Sequence, residues 1–291
     1  MLHVGIVGGG LMGAGIAEVS ARARLDVVVV ESSDEAAKGA LLRLEGSLER
    51  AQSRDKIVSA SDVLRGIRVV TDLDAVCDRD LVVEAIVEDE EAKVALFRQL
   101  DELVEAPGAI LASNTSSIPI MKLGMVTTRP SQVIGVHFFN PVPVLELVEL
   151  VPSLLTSADT AERSREWVER QLGKKAIHCQ DRAGFVVNAL LIPFVLSAIR
   201  MFESGFASAE AIDRGLVLGA AHPQGPLELA DSIGLDTIKA VAESLYEEFK
   251  EPLHASPRSV TAWWMQACSV ESPDVASTPT ELVTRPRGAS V

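Results

Sequence analysis

The sequence predicts an α/β protein in which a mostly parallel sheet, covered by helices, is followed by a smaller all-helical domain. Up to about residue 180, short apolar runs alternate with segments of helical pattern, and such alternation is typical of a parallel sheet. Beyond that point, helical patterns follow one another without a strand pattern. The chain has 291 residues, which is long enough for two domains.

The strands are predicted from apolar runs that are short, as expected for strands buried on both faces of a sheet. They cover residues 2–7, 27–30, 67–70, 81–87, 109–112, 133–138, 144–151 and 176–178. Helical composition or pattern separates most of them, for example at residues 14–23, 90–104 and 160–172. Each strand is therefore expected to be followed by a connection that crosses one face of the sheet.

The second domain is predicted to begin with one long helix at residues 181–205, which contains Pro193. Because this segment is apolar almost all round, we expect it to be buried against a partner subunit or the first domain. Residues 208–219 and 226–250 also have helical patterns. The predicted regions are a first domain at 1–182, an all-helical second domain at 183–254 and an atypical, poorly ordered tail at 255–291.

The composition excludes several classes of protein. The formal net charge is -14, and this argues against binding to nucleic acid or to an anionic membrane. Cys77, Cys179 and Cys268 are far apart and fit neither metal nor disulfide spacing, so no metal site is predicted. No apolar run reaches the roughly 18 residues of a membrane span, and the N-terminal residues lack the pattern of a signal peptide. A cytoplasmic protein is expected.

A glycine-rich segment follows the first strand and opens the first helix. Gly8, Gly10 and Gly13 form G-x-G-x-x-G around Leu11 and Met12. Gly8 allows the tight turn, Gly10 lets a pyrophosphate approach the backbone, and Gly13 lets the helix pack close to the strand. The helix N-terminus would supply free N–H groups to the phosphates.

The second strand ends in Glu31, which can accept hydrogen bonds from a ribose diol and would repel a 2′-phosphate. The chain thus contains, in this order, a strand, a glycine turn, a helix, a second strand and an acid. This order predicts a Rossmann-type dinucleotide-binding domain, with NAD favoured over NADP.

His137 stands at the end of the apolar run at 133–138 and can be braced by a carboxylate. A loop over residues 140–146 would pair the flanking strands so that His137 faces Glu149, whereas a tighter turn would place Glu146 opposite. The sequence leaves both open. In either case the carboxylate would fix the imidazole tautomer and stabilise the imidazolium that forms when the ring takes a proton.

The segment SNTSSIPI at residues 113–120 follows the strand at 109–112. Ser116 or Ser117 could simply cap the next helix. They also lie at the carboxyl end of a parallel strand, where ligands bind in open α/β sheets.

Taken together, GGGLMG, SNTSS, HFFNPVP followed by LVEL, and DRAGFVVNALLIP resemble the L-3-hydroxyacyl-CoA dehydrogenase family, in particular its 3-hydroxybutyryl-CoA dehydrogenases. The likeness runs from residue 2 to about residue 253. It implies NAD-dependent oxidation of a short-chain L-3-hydroxyacyl-CoA to the 3-ketoacyl-CoA, and the reverse. It also implies an acyl-CoA substrate as partner and a homodimer formed through the helical domain.

The resemblance also implies roles for individual residues. His137 would be the general base, Glu149 its orienting partner, and Ser116 and Asn188 the two polar contacts to the substrate oxygen. The residues near the cofactor would be Gly8, Gly10, Leu11, Met12, Gly13, Glu31, Glu88, Lys93, Ser116 and Asn140. Coenzyme A would contact Ser47 and Arg54, on the helix after the second strand.

The tail departs from this pattern. The family usually ends in a helix and a motif of the type G-x-K-x-G-x-G-F-Y, whereas residues 256–291 contain neither Gly-Phe-Tyr nor the lysine. The change is abrupt near residues 256–259, as a frameshift would make it. The altered tail leaves a catalytically impaired dinucleotide-binding protein open as another function. The same chemistry on an acyl-carrier-protein thioester also stays open.

Overall fold

The computed structural model of this chain describes residues 2–257 and residue 260. The chain divides into two compact units, Met1–Phe185 and Val186–Val291. The first unit contains one sheet with helices on both of its faces, and the described part of the second is helical. The α/β class and the all-helical second part are confirmed. The predicted tail at 255–291 lies outside the described residues, apart from 255–257 and 260, and Cys268 lies outside them as well.

The first unit is built on an eight-stranded sheet in the order β3-β2-β1-β4-β5-β6-β7-β8. All neighbouring strands are parallel except β6 and β7. The strands are β1 (His3–Val7), β2 (Asp26–Val30), β3 (Ile67–Val70), β4 (Leu81–Glu84), β5 (Ile110–Ser113), β6 (Val133–Phe138), β7 (Leu147–Val151) and β8 (Lys175–His178). The strand order reverses between β1 and β4, and ligands of open α/β sheets bind at such a reversal.

The helices of the first unit cover both faces of the sheet and bury two apolar clusters against it. They are α1 (Leu11–Arg22), α2 (Asp34–Ser53), α3 (Ala60–Leu64), α4 (Glu90–Leu103), α5 (Ile120–Met125) and α6 (Ala158–Glu166). The alternating side chains of the central strands point into one cluster or the other, so β1, β4 and β5 are apolar almost throughout. This buried platform holds the carboxyl ends of the strands in place.

Several predicted boundaries were wrong, each for a local reason. The strand predicted at 81–87 ends at Glu84, whose carboxylate accepts a hydrogen bond from the Ile86 amide and turns the chain out of the sheet. The strand predicted at 144–151 begins only at Leu147, because the amides of Val144 and Leu145 donate hydrogen bonds to the Pro141 carbonyl in a turn. The helix predicted at 160–172 is α6 followed by a π-helical turn at Trp167–Gln171.

The second unit contains α7 (Val187–Glu203), α8 (Ala209–Ala220), α9 (Pro226–Ile233) and α10 (Leu235–Phe249). The helix predicted from residue 181 starts at Val187, because Gly184 and Phe185 have positive φ angles of 71° and 50°. The segment 226–250 is two helices, since Gly234 adopts a φ of 95° between them.

Burial of α7 is partial. Ile192, Val195, Leu196 and Ile199 are buried, whereas Leu190 is exposed. Among the residues described, no helix combines the length and the apolar character that a membrane crossing requires.

Candidate active site

The glycine turn between β1 and α1 has the geometry of a phosphate site. Gly8 has a φ of 96°, which a residue with a side chain rarely adopts. A Cβ at Gly13 would lie 1.8 Å from the carbonyl oxygen of Gly8, so the close packing of helix and strand requires glycine there. A Cβ at Gly10 would meet nothing within 4 Å, so this glycine leaves open space beside the helix N-terminus. No side chain caps α1 at Gly10, and Leu11 and Met12 form its first turn.

Glu31 follows β2, next to this turn. Its Oε1 accepts a hydrogen bond from the Gly9 amide at 2.7 Å, and its Oε2 accepts one from the Ser32 amide at 3.3 Å. The side chain is only partly buried, so its carboxylate can also accept hydrogen bonds from a diol. The open space at Gly10, the uncapped helix and this carboxylate together fit a dinucleotide with an unphosphorylated ribose.

His137 and Glu149 form a buried pair at the edge where β6 and β7 meet. The antiparallel register pairs His137 with Glu149, and His137 Nδ1 lies 2.8 Å from Glu149 Oε2. His137 is 4% exposed and Glu149 0%. The register settles the open alternative: Glu146 lies in the loop before β7, where it is exposed and pairs with Lys175.

The arrangement of this pair determines the state of the imidazole. A carboxylate accepts hydrogen bonds, so Nδ1 carries the ring proton and Nε2 is the ring nitrogen that bears the lone pair. The rings of Phe139 and Phe185 meet His137 edge-on, with centroids 4.6 and 5.4 Å away. The imidazole therefore has a fixed orientation in which Nε2 is the acceptor nitrogen.

Ser116 lies beside Nε2 of His137. Its Oγ is 3.0 Å from that nitrogen, at the carboxyl end of β5. The capping alternative is wrong for both serines, because Pro119 stands at the N-cap of α5 and the Asp181 carboxylate accepts hydrogen bonds from the first two amides of that helix. Ser116 and His137 thus present an oxygen and a nitrogen to the same point.

Glu88 holds the loop that carries Ser116. Its Oε1 accepts hydrogen bonds from the amides of Ser116 and Ser117 at 2.9 and 3.0 Å, and from the hydroxyls of Thr115 and Ser117. Burial raises the pKa of the Glu88 carboxyl, but the charge of Lys93 and the hydrogen bonds from the loop outweigh it, so this pKa lies below its usual range. Glu88 is therefore an anion that binds the loop from beneath.

Lys93 is 1% exposed, and its Nζ lies between two carboxylates, 2.5 Å from Glu84 Oε1 and 3.2 Å from Glu88 Oε2. The sequence pointed to Glu88 and Lys93 as residues near the cofactor. The structure places Glu88 beneath the Ser116 loop and encloses Lys93 in carboxylates. Their contact with the cofactor stays a prediction.

The remaining predicted residues are placed as follows. Asn140 is exposed and lies two residues after the end of β6. Asn188 lies in the first turn of α7, in the second unit, and its role stays a prediction. Ser47 is partly buried on α2, and Arg54 is exposed at its C-terminus. The structure thus brings Ser116, His137 and Glu149 into contact, and within the described part of the chain no hydrogen bond or ion pair joins Ser47 or Arg54 to them.

Sequence reasoning missed several residues of this edge. Asn114 is buried, and its Oδ1 accepts a hydrogen bond from the Phe138 amide, which ties β5 to β6. Glu84 is 0% exposed beneath the Ser116 loop. The signal for Glu84 was present as a single carboxylate inside the apolar run LVVEAIV, where a charge is costly unless it is paired. Asp181 carries no such local signal, because its partners lie about sixty residues away.

Two family models match this chain. The model described as 3-hydroxyacyl-CoA dehydrogenase, NAD binding domain, matches residues 3–182, and the model of the C-terminal domain matches residues 184–268. The chain belongs to the 3-hydroxyacyl-CoA dehydrogenase family. The resemblance seen in the sequence is confirmed, and so are the NAD cofactor and the NAD-dependent dehydrogenase class.

Individual members of the 3-hydroxyacyl-CoA dehydrogenase family are also similar along most of their length. A 3-hydroxybutyryl-CoA dehydrogenase of Mycobacterium tuberculosis is 52% identical over 257 residues, which cover 88% of this chain and 90% of that protein. The human mitochondrial hydroxyacyl-coenzyme A dehydrogenase is 42% identical, over 87% of this chain and 82% of the human protein. The crystal structure of M. tuberculosis FadB2 superposes with a TM-score of 0.90 at 49% identity, covering 91% of this chain and 94% of that one.

Proposed function

We propose that this protein oxidises the 3-hydroxyl of short-chain L-3-hydroxyacyl-CoA to a ketone, and reduces 3-ketoacyl-CoA in the reverse direction. One observation carries the proposal: Ser116, His137 and Glu149 form a continuous chain of hydrogen bonds. These side chains lie at the same edge of the sheet as the glycine turn. The turn follows β1 and His137 lies on β6, and the order β1-β4-β5-β6 separates these two strands by three strand spacings. Three strand spacings amount to about 14 Å, a distance that a dinucleotide bound at the turn can bridge.

NAD held by the glycine turn and Glu31 would supply the acceptor for the hydride of substrate C3. His137 Nε2 accepts the proton of the 3-hydroxyl, because it is the unprotonated ring nitrogen when Nδ1 donates to Glu149. Ser116 Oγ donates a hydrogen bond to the same substrate oxygen and so places it against Nε2. Glu149 stabilises the imidazolium that results, and in the reverse direction His137 returns its proton to the oxygen of the ketone.

The substrate class is proposed from the family and the relatives. Proteins similar to this chain along most of their length are 3-hydroxybutyryl-CoA dehydrogenases of M. tuberculosis and Bradyrhizobium diazoefficiens, and this supports a short acyl chain. Asn188 would supply the second polar contact to the substrate oxygen, and Asn140 would lie near the nicotinamide. Ser47 and Arg54 would contact coenzyme A on the face of α2.

The decisive experiment is reduction of acetoacetyl-CoA by NADH, followed by absorbance at 340 nm. Consumption of NADH is expected, with a loss of about 10²-fold or more in kcat for His137→Gln, while NADH binding measured by fluorescence is retained. Turnover of the variant at the wild-type rate would remove His137 from its role. No turnover by the wild type would favour the catalytically impaired dinucleotide-binding protein.

A panel of acyl-CoA thioesters of increasing length, with matching acyl-carrier-protein thioesters, tests the carrier and the chain length. Faster turnover of the carrier-protein thioester would favour the second enzymatic function. A homodimer formed through the helical unit and a cytoplasmic location complete the proposal.

A further inference from the structure

Glu84 is a buried acid that the mechanism above does not use. It is the last residue of β4 and 0% exposed, in a strand whose other three residues are valines and a leucine. The carboxyl end of β4 lies between the glycine turn after β1 and the Ser116 loop after β5. A charged side chain in such a place is costly to bury unless each of its oxygens is bound.

The structure binds both oxygens of Glu84. Oε1 accepts hydrogen bonds from Lys93 Nζ at 2.5 Å and from the Ile86 amide at 2.8 Å. Oε2 accepts one from the hydroxyl of Ser113 at 2.6 Å. These donors come from α4, from the loop after β4 and from the end of β5, so Glu84 joins the three segments that surround the Ser116 loop.

The contacts continue from Lys93 to the reacting groups. Lys93 Nζ lies 3.2 Å from Glu88 Oε2, and the other oxygen of Glu88 accepts four hydrogen bonds from the loop, one of them from the Ser116 amide. Ser116 Oγ in turn lies 3.0 Å from His137 Nε2. Glu84, Lys93 and Glu88 alternate in sign, so the position of each side chain depends on the next.

Removal of the Glu84 charge would leave Glu88 as the carboxylate partner of Lys93 among the described residues. Since Lys93 is 1% exposed, water cannot replace the lost partner, and the ammonium would move toward Glu88. Glu88 is the acceptor for the Ser116 amide, and its displacement moves Ser116 relative to His137.

We propose that Glu84 is a positioning residue that holds Ser116 against His137 through Lys93 and Glu88. The proposal rests on the function proposed above, because it concerns the alignment of the same Ser116–His137 pair. The hydrogen bonds and the ion pair of Glu84 go to Ile86, Lys93 and Ser113, and not to either of these two side chains. A merely structural role for Glu84 would lower stability without changing the contact between Ser116 and His137.

The first test measures the contact between Ser116 and His137 Nε2 directly and needs no substrate. The ring nitrogens of His137 are observed by long-range ¹H–¹⁵N NMR, and their signals are assigned by their loss in His137→Gln. Ser116→Ala should move the Nε2 signal, and Glu84→Gln should move it in the same direction. Glu18→Gln is the matched control, because Glu18 is also buried, at 1% exposure, and pairs with Arg22 on α1. It should leave the His137 signals unchanged.

Breaking a buried ion pair is strongly destabilising, so Glu84→Gln alone could unfold the protein. A second variant therefore tests the proposal without leaving an unpaired buried charge. Glu84→Gln combined with Lys93→Met removes both charges and leaves no lone buried ion, but it also removes the link to Glu88. The same shift of the Nε2 signal is expected. A folded single or double variant with the wild-type Nε2 signal would overturn the proposal.

The second test is kinetic. Glu84→Gln should lower kcat by up to about 100-fold, as displacement of a reacting group can. In a Ser116→Ala background the same change should have little further effect, since the contact it maintains is already gone. Equal losses in both backgrounds would overturn the proposal. Absence of dehydrogenase activity in the wild type would refute the proposed function alone, and the NMR result would then decide the role of Glu84.

Discussion

At the scale of single residues, the pairing of His137 with Glu149 is the feature on which the proposed chemistry depends. The sequence could identify a histidine at a strand end and two acids within reach. The choice between them came from the register of β6 and β7. The tight pairing keeps one tautomer, and a substitution that allows both tautomers should be costly.

Glu149→Gln is expected to lower kcat by about 10²-fold or more, with little change in NADH binding. The amide can donate as well as accept, so it no longer imposes a proton on Nδ1. Glu146→Gln is the matched control, because Glu146 is exposed and pairs only at the surface with Lys175. Steady-state kinetics of both variants check this, and equal losses would contradict the assignment.

Glu31→Ser is expected to raise the use of NADPH relative to NADH. A carboxylate about 4 Å from a 2′-phosphate costs about 1 to 4 kcal/mol near a protein surface, so its removal should improve the ratio by about tenfold or more. Glu35→Gln, on the exposed first turn of α2, should leave the ratio unchanged. The ratio of kcat/KM for the two cofactors measures the effect. An unchanged ratio in Glu31→Ser would exclude Glu31 as the residue that selects the cofactor.

At the scale of elements, the loop 114–119 and the turn at 8–13 are held in different ways. The turn depends on backbone geometry and on residues that lack a side chain, so its signature is visible in the sequence. The loop depends on a carboxylate about thirty residues earlier in the chain. No rule of sequence spacing relates this carboxylate, Glu88, to the loop that it binds.

Glu88→Gln should lower the free energy of unfolding at pH 7 by about 1–3 kcal/mol, since the amide binds the loop and Lys93 less well. The folded pKa of Glu88 lies below its usual range, so its contribution is present above about pH 4.3 and is lost as pH falls through the folded pKa. The difference from wild type should therefore shrink below about pH 4. Urea denaturation at pH 7 and at lower pH checks this.

Glu90→Gln is the control for the pH dependence, because Glu90 forms an exposed pair with Lys122 and should contribute little at either pH. A difference for Glu88→Gln that stays constant at all pH values would contradict the assigned charge of Glu88.

Gly10→Ala and Gly13→Ala should separate binding from stability. A Cβ at position 10 meets no atom of the described residues within 4 Å, so the fold should persist. NADH affinity should fall by about tenfold or more, since the added methyl group occupies the space expected for the phosphates. A Cβ at position 13 meets the Gly8 carbonyl, so the unfolding free energy should fall by about 1–3 kcal/mol or more. Thermal melts and NADH titrations distinguish them. Unchanged affinity in Gly10→Ala would place the phosphates elsewhere.

At the scale of the whole molecule, large apolar side chains remain exposed on the helical unit. Phe206 is 78% exposed and Leu218, on α8, is 74% exposed. Side chains of this kind often mark a surface that another subunit covers, although single exposed apolar residues are common. They are the residues at which the proposed homodimer can be tested.

Leu218→Asp is expected to weaken the homodimer and to shift sedimentation toward the 31.1 kDa monomer. A charge placed at an apolar subunit contact is left without a partner, and this opposes association. Leu154→Asp, at a 90% exposed leucine of the first unit, should leave the mass unchanged. A wild-type protein that sediments as a monomer would refute the dimer.

The sequence by itself determined the parallel sheet, the glycine turn, the acid after β2 and the presence of a histidine at a strand end. These are local patterns, because period, strand length and the lack of a Cβ act within a few residues. Only the tertiary structure decided that Glu149 and not Glu146 meets His137, that Asp181 binds the amides of α5, and that Glu84, Lys93 and Glu88 support Ser116. Such contacts join strands and loops far apart in the chain, and their formation depends on register and on which buried charge finds a partner.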